Sequence, residues 1–182
     1  MKKFVNLLFA ATFIFGVSGA SAQKDPMVGG AAMYPSRNIV ENAINSKDHT
    51  TLVAAVKAAG LVDTLEGPGP FTVFAPTNEA FDKLPAGTVD NLLKPENLDQ
   101  LKKILTYHVV AGRITTKDLR KMIKDGGGKA TLTTVEGGTL TATMSGNSYM
   151  LTDDKGNTAS ITIPNVYQSN GVIQVIDGVL LP

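Results

Sequence analysis

GPFTVFAPTNEAFDKLP, residues Gly69 to Pro85, changes its local code halfway along. Phe71, Thr72, Val73, Phe74 and Ala75 are apolar or β-branched, so both faces suit a short buried strand. Pro76 has no N–H to give to a sheet ladder, and the strand is expected to stop there. Thr77 follows, and its hydroxyl is placed to accept from the free N–H groups of a new helical turn. After Asn78, Phe81 and Leu84 return to one helical face. So abrupt a switch marks either a reactive site or a corner of the fold. A helix N-terminus could also hold an anion at Thr77 and Asn78. Ordinary capping needs only the residues present, so the stretch reads as a corner.

The chain upstream is helical. Ser36 or Asn38 can cap a short helix carrying Ile39, Val40 and Ile44, and Asp48 is expected to cap the next. There Leu52, Val56 and Ala59 share a face, and Gly60 gives a stop. Downstream, Thr88 opens a capped segment through Leu93. Pro95 suits the first turn of a longer helix with Leu98, Leu101, Leu105 and His108 on one face. A strand is expected around Tyr107 to Val110. Thr115-x-x-Asp118 resembles a capping box opening a helix that ends near Lys124.

From Lys129 the period falls to two. Leu132 and Thr134, then Leu140, Ala142 and Met144, then Tyr149 and Leu151, then Ile161 and Ile163 alternate with small or polar residues. Gly137-Gly138, Ser145-Gly146-Asn147, Asp154-Lys155-Gly156-Asn157 and Asn170-Gly171 read as turns. The last of these is expected to need a positive φ. Val172 to Ile176 reads as a final strand. Helices followed by a β meander give an α+β class and one domain over residues 36–182.

The N-terminus reads differently. Lys2 and Lys3, an apolar stretch from Phe4 to Val17, and Ala20-Ser21-Ala22 form a secretory signal over residues 1–22, with the mature chain expected from Gln23. The apolar run is shorter than the ~20 residues a membrane helix needs. Pro26, Gly29, Gly30 and Pro35 make residues 23–35 a flexible leader. Removing Lys2 and Lys3 leaves 15 of the 17 basic residues against 16 acidic ones. That balance gives no electrostatic reason for a nucleic-acid partner. The chain has no cysteine, which excludes disulfides, thiolate catalysis and cysteine zinc sites. The expectation is a protein exported to the periplasm or beyond the cell, without stable membrane insertion.

Three stretches carry a resemblance. The opening one matches T-x-F-A-P-T-[ND]-x-A-F. Ser169 to Leu180 matches S-N-G-x-I-x-x-I-D-x-V-L. Tyr107-His108 between them matches a tyrosine–histidine motif. Together they resemble the fasciclin domain family over about Asn38 to Pro182. The residues that carry the signature are Phe74, Pro76, Thr77, Asn78, Phe81, Asn170, Gly171, Ile176 and Asp177. Many members have a histidine in the C-terminal box where this sequence has Gln174. The resemblance implies a wedge of two β-sheets with several short helices packed along one side. It also implies a non-enzymatic module for adhesion or for matrix or envelope interaction. The partners it implies are cell-surface or matrix proteins or envelope polysaccharide. It places partner contact at Tyr107 and His108.

His108 also lies on the apolar face of its helix, where a core histidine or a pH-sensing one would serve equally. Asn170 and Asp177 can be structural, Asp177 by accepting backbone N–H groups. Gly126-Gly127-Gly128-Lys129 is no phosphate loop: Ala130 stands where Ser or Thr should be, and Ile123 where the first Gly belongs. Asp153 to Asn157 lacks the ligands of a calcium loop. No G-x-S-x-G elbow and no paired histidines are present, so neither an enzyme nor a metal or other cofactor is expected. A second binding reading is capture of a small apolar ligand between sheets and helices. It predicts a pocket near Leu101, Leu105 and Met144.

Overall fold

The computed structural model describes residues 25–182. The expected signal segment, residues 1–22, and the expected cleavage site lie outside the described residues.

The expected leader instead folds back on the core. β1 (Met27–Val28) and β2 (Ala31–Ala32) form a small antiparallel hairpin. Gly29 and Gly30 supply its positive φ values, and Val28 and Met33 are buried in the main core. The two apolar side chains explain the docking, because the turn glycines place both against the helices.

α1 (Ile39–Ala43) starts at a reciprocal capping box. Glu41 N–H donates to Asn38 Oδ1, and Asn38 N–H donates to Glu41 Oε2, both at 2.8 Å. α2 (Thr50–Ala58) follows a short 3₁₀ turn at Lys47–His49, and α3 (Val62–Glu66) follows Gly60. Asp48 does not cap α2. Asn78 does so from across the fold: its Oδ1 accepts from Thr51 N–H at 3.0 Å, and its Nδ2 donates to the Lys47 carbonyl at 2.8 Å. Asn78 is thus a staple across the fold.

β3 (Phe71–Pro76) extends one residue further than proline chemistry suggested. Pro76 keeps register with Ile176, and Thr77 N–H makes the next ladder bond, to Ile176 O at 3.2 Å. Thr77 then caps α4 (Asn78–Asp82), its hydroxyl accepting from Ala80 N–H at 3.3 Å. α5 (Thr88–Leu92) starts after Gly87, which has φ 81°. Pro95 begins a 3₁₀ turn leading into α6 (Leu98–Tyr107), and β4 (Val109–Ala111) follows directly. α7 (Thr116–Asp125) has the expected capping box, Thr115 with Asp118. The meander is β5 (Lys129–Thr133), β6 (Thr139–Ser145), β7 (Ser148–Thr152), β8 (Thr158–Gln168) and β9 (Gly171–Ile176).

The seven long strands run in the order β4-β3-β9-β8-β7-β6-β5, with β3 and β9 parallel and every other pair antiparallel. β8 joins two limbs: Thr158 to Ser160 pair with β7, and Ile161 to Gln168 pair with β9. The two expected sheets are these limbs. A bridge between Val110 and Thr134 brings the outer edges together, so the sheet nearly closes. β3 separates two cores. Val73 and Ala75 face the helices, while Phe74 faces the inside of the curled sheet with Leu140, Leu151 and Ile176. α7 plugs that interior with Leu119 and Ile123.

Candidate functional site

The last turn of α6 ends in Tyr107, and His108 follows as its C-cap. Tyr107 enters the curled sheet and is fully buried. Its hydroxyl donates to the Thr139 carbonyl at 2.5 Å and accepts from Asp154 N–H at 3.2 Å. The ring lies against Gly138, where a Cβ would sit 2.6 Å from a ring carbon. The turn therefore needs glycine there to let the tyrosine in.

His108 is 3 % exposed. Leu180 N–H can only donate, so Nε2 accepts from it at 3.0 Å. The proton then sits on Nδ1, which donates to the Ile104 carbonyl at 2.9 Å. Burial pushes the imidazole down to about 4, against a smaller opposing effect of the Ile104 bond. The neutral ring ties α6 to the C-terminal residues. Asp153 helps, its carboxylate accepting from Leu181 N–H at 2.8 Å as well as from Lys155 and Asn157. Those donors occupy the carboxylate considered for calcium. Among the described residues no three acidic or histidine side chains cluster as metal ligands would. Partner contact at Tyr107-His108 does not fit this geometry, because neither side chain reaches the surface.

The C-terminal box is a second internal clasp. Asn170 accepts from Ile39 N–H at 3.0 Å and donates to the Leu65 and Gly67 carbonyls at 2.7 and 3.0 Å. Neither Asn170 nor Gly171 has the positive φ that the turn reading required. Gly171 is needed for proximity instead: a Cβ there would lie 2.2 Å from the Phe71 carbonyl oxygen on β3. Asp177 accepts from Ser160 N–H at 2.7 Å, as a structural aspartate. Gln174 is buried, accepting from Asn165 N–H and donating to the Ile114 carbonyl.

Two features offer a ligand something. The first is on the surface, around the β8–β9 turn. Tyr34, Arg37, Arg113 and Tyr167 are all exposed there. The Arg37 guanidinium stands 4.9 Å from the centre of the Tyr34 ring. Ser169 N–H donates to the Arg37 carbonyl at 2.8 Å, and Arg113 donates to the Gln168 carbonyl at 3.2 Å. Three distant segments are thereby held together at this turn, and between them they carry two exposed tyrosines and two exposed arginines. Their separation in the chain hid this grouping from sequence reasoning.

The second is a cavity of about 70 Å³ between helices α1, α2, α3 and α6 and strands β3 and β9. Of the residues expected around a pocket, Leu105 lines it. Leu101 packs in the same core without lining the cavity, and Met144 lies against the other core. His49, which no motif singled out, also lines it.

Comparison with known proteins agrees with this architecture. A family model described as Fasciclin domain matches residues 47–182, so the hairpin and α1 precede the match. Protein sll1483 of Synechocystis is 46 % identical over 162 residues, covering 89 % of this chain and 83 % of the relative. Immunogenic protein MPB70 of Mycobacterium bovis is 35 % identical over 191 residues, covering 94 % and 90 %. Cell surface glycolipoprotein MPB83 of the same species is 36 % identical over 165 residues, covering 91 % and 64 %. Among solved structures, a FAS1 domain pair from the insect cell adhesion molecule Fasciclin I superposes with a TM-score of 0.70 at 21 % identity, covering 80 % of this chain and 51 % of that one.

Proposed function

The chain belongs to the fasciclin domain family, and from that premise we propose that it is an exported, non-enzymatic binding module that contacts a cell-surface or matrix protein or an envelope polysaccharide. The observation that carries the reading is the gathering of exposed Tyr34, Arg37, Arg113 and Tyr167 around the β8–β9 turn. Tyrosine and arginine are the side chains that most often anchor protein interfaces, and planar rings and guanidinium groups also suit sugar faces and hydroxyls. Hydrogen bonds between the three segments hold this face before any partner arrives, which reduces the ordering cost of binding. A glycolipoprotein described as cell-surface and a cell adhesion molecule stand among its likenesses. Among the described residues no helix is long and apolar enough to cross a membrane.

The test is retention of purified protein on solubilised envelope and matrix fractions. A double Arg37→Ala, Tyr167→Ala variant should lose at least tenfold in affinity while keeping its circular dichroism and unfolding midpoint. Undiminished retention by that variant would reject this face as the contact.

A further inference from the structure

His49 carries the second inference, which does not depend on the surface face. It ends the 3₁₀ turn before α2 and is 3 % exposed. Its Nδ1 is 2.9 Å from Ser46 Oγ. Its Nε2 is the buried side-chain polar atom that has no hydrogen-bond partner among the described residues. The Ala75 backbone offsets part of the effect of burial on this ring but makes no hydrogen bond to Nε2.

Orphaned buried polar atoms are rare, and each calls for a partner or a reason. Here the ring lines the cavity, whose other walls include Val28, Ile39, Val56, Leu65 and Ile173. Water is a poor tenant, since a buried water usually holds two to four polar partners. Among the other polar side chains of the lining, Lys57 and Thr64 are exposed and the rest are engaged. Both nitrogens of His108 are bonded, Ser46 Oγ meets Nδ1, and Thr106 Oγ1 donates to backbone carbonyls of its own helix. An occupant must therefore bring apolar surface to the walls and one polar group to Nε2.

We propose that this cavity is a binding site for a small, slim apolar molecule bearing a single hydroxyl, with the hydroxyl on His49 Nε2 and the hydrocarbon against Val56, Leu65 and Ile173. Size sets the first limit. The cavity is about half the ~150 Å³ of an apolar cavity that takes benzene, so its enclosed part holds about three or four carbons. The lining also includes the exposed Lys57, Thr64 and Val135, so a longer tail has a way out at the surface. Chemistry sets the second. If Ser46 donates to Nδ1, Nε2 is a donor; if Nδ1 donates to Ser46, Nε2 is an acceptor. A hydroxyl serves either tautomer. Burial lowers the pKa of His49, so the ring is neutral near pH 7 and offers a carboxylate no counter-charge.

The experiment is an NMR titration of the ¹⁵N-labelled chain with 1-butanol, with butyrate, and with xenon as an apolar probe lacking any hydroxyl. 1-Butanol should give saturable shifts at the Val56, Leu65 and Ile173 amides and at His49 Nε2. Butyrate should bind at least tenfold more weakly. Xenon should shift the amides and leave Nε2 still. In His49→Leu, if folded, 1-butanol should lose tenfold in affinity and xenon should not. The wild-type Nε2 signal decides the matter if that variant does not fold. The proposal is overturned by shifts linear in 1-butanol, by cavity shifts with no change at Nε2, or by a water found bonded to Nε2 that 1-butanol does not displace.

Discussion

Acidification should destabilise this domain well before its carboxylates protonate, and His108 is the reason. In the unfolded chain its ring takes a proton near pH 6.5; in the folded chain burial holds that value down to about 4. Above pH 6.5 both states carry a neutral ring and stability is full. Between 6.5 and 4 only the unfolded chain is protonated, so stability falls as pH falls. Below 4 both states are charged and the loss is complete. Each pH unit of that window is worth about 1.4 kcal/mol, so the ring accounts for roughly 3 kcal/mol. His49 is also lowered by burial and acts in the same direction. Asp118 and Asp154, held below the ordinary carboxylate range by Thr115 and Thr139, contribute only as the pH drops toward 3.8 and beneath. Urea unfolding at pH 7.5, 6.5, 5.5 and 4.5 measures the decline, and a ¹⁵N titration of each imidazole assigns it. The folded His108 ring should keep its Nδ1-protonated neutral signature down to about pH 5. Stability flat between pH 7.5 and 4.5, or a His108 midpoint near 6.5, would refute the buried, doubly bonded ring.

Other substitutions test the clasps. Asn78→Ala should uncap α2 at a cost of about 1 kcal/mol and speed amide exchange at Thr51; an unchanged Thr51 rate would mean that the cap is not made. Asn170→Ala removes the acceptor for Ile39 N–H and the donor to two carbonyls, so it should cost about 2–3 kcal/mol in urea unfolding. Gly171→Ala forces β3 and β9 apart and should cost about 1–3 kcal/mol, although both positions read as a simple turn; a loss below about 0.5 kcal/mol for either would contradict the clasp.

What could be read from the sequence was what neighbouring residues decide. The Phe71-to-Phe81 corner, the Thr115–Asp118 box, the period-two meander and the helical face of α6 all depend on chemistry within a few residues. What could not be read depends on partners far along the chain. Asn170 meets Ile39 from 131 residues away, so its side chain looked like part of a turn. Asn78 replaced Asp48 as the α2 cap because the β3–α4 corner brings it to that helix end, a placement that only the folded chain creates. The hairpin at residues 27–32 looked like a leader because its glycines were legible and its docking surface was not. The Tyr–Arg face and the orphaned His49 nitrogen follow the same rule, each assembled or exposed by tertiary packing. Tyr107-His108 was legible as a motif, but its role was not: apolar periodicity and a binding motif predict the same letters, and burial separates them.

Binding through the outer face, with the tyrosine–histidine motif held inside, is open to one direct test. The most direct measurement is amide hydrogen exchange of the protein free and bound to the envelope or matrix fraction that retains it. New protection is expected at residues 34–37, around Arg113 and at 167–169, with α6 and β4 unchanged. Protection centred on Tyr107 and His108, with the Tyr–Arg face still exchanging freely, would contradict it.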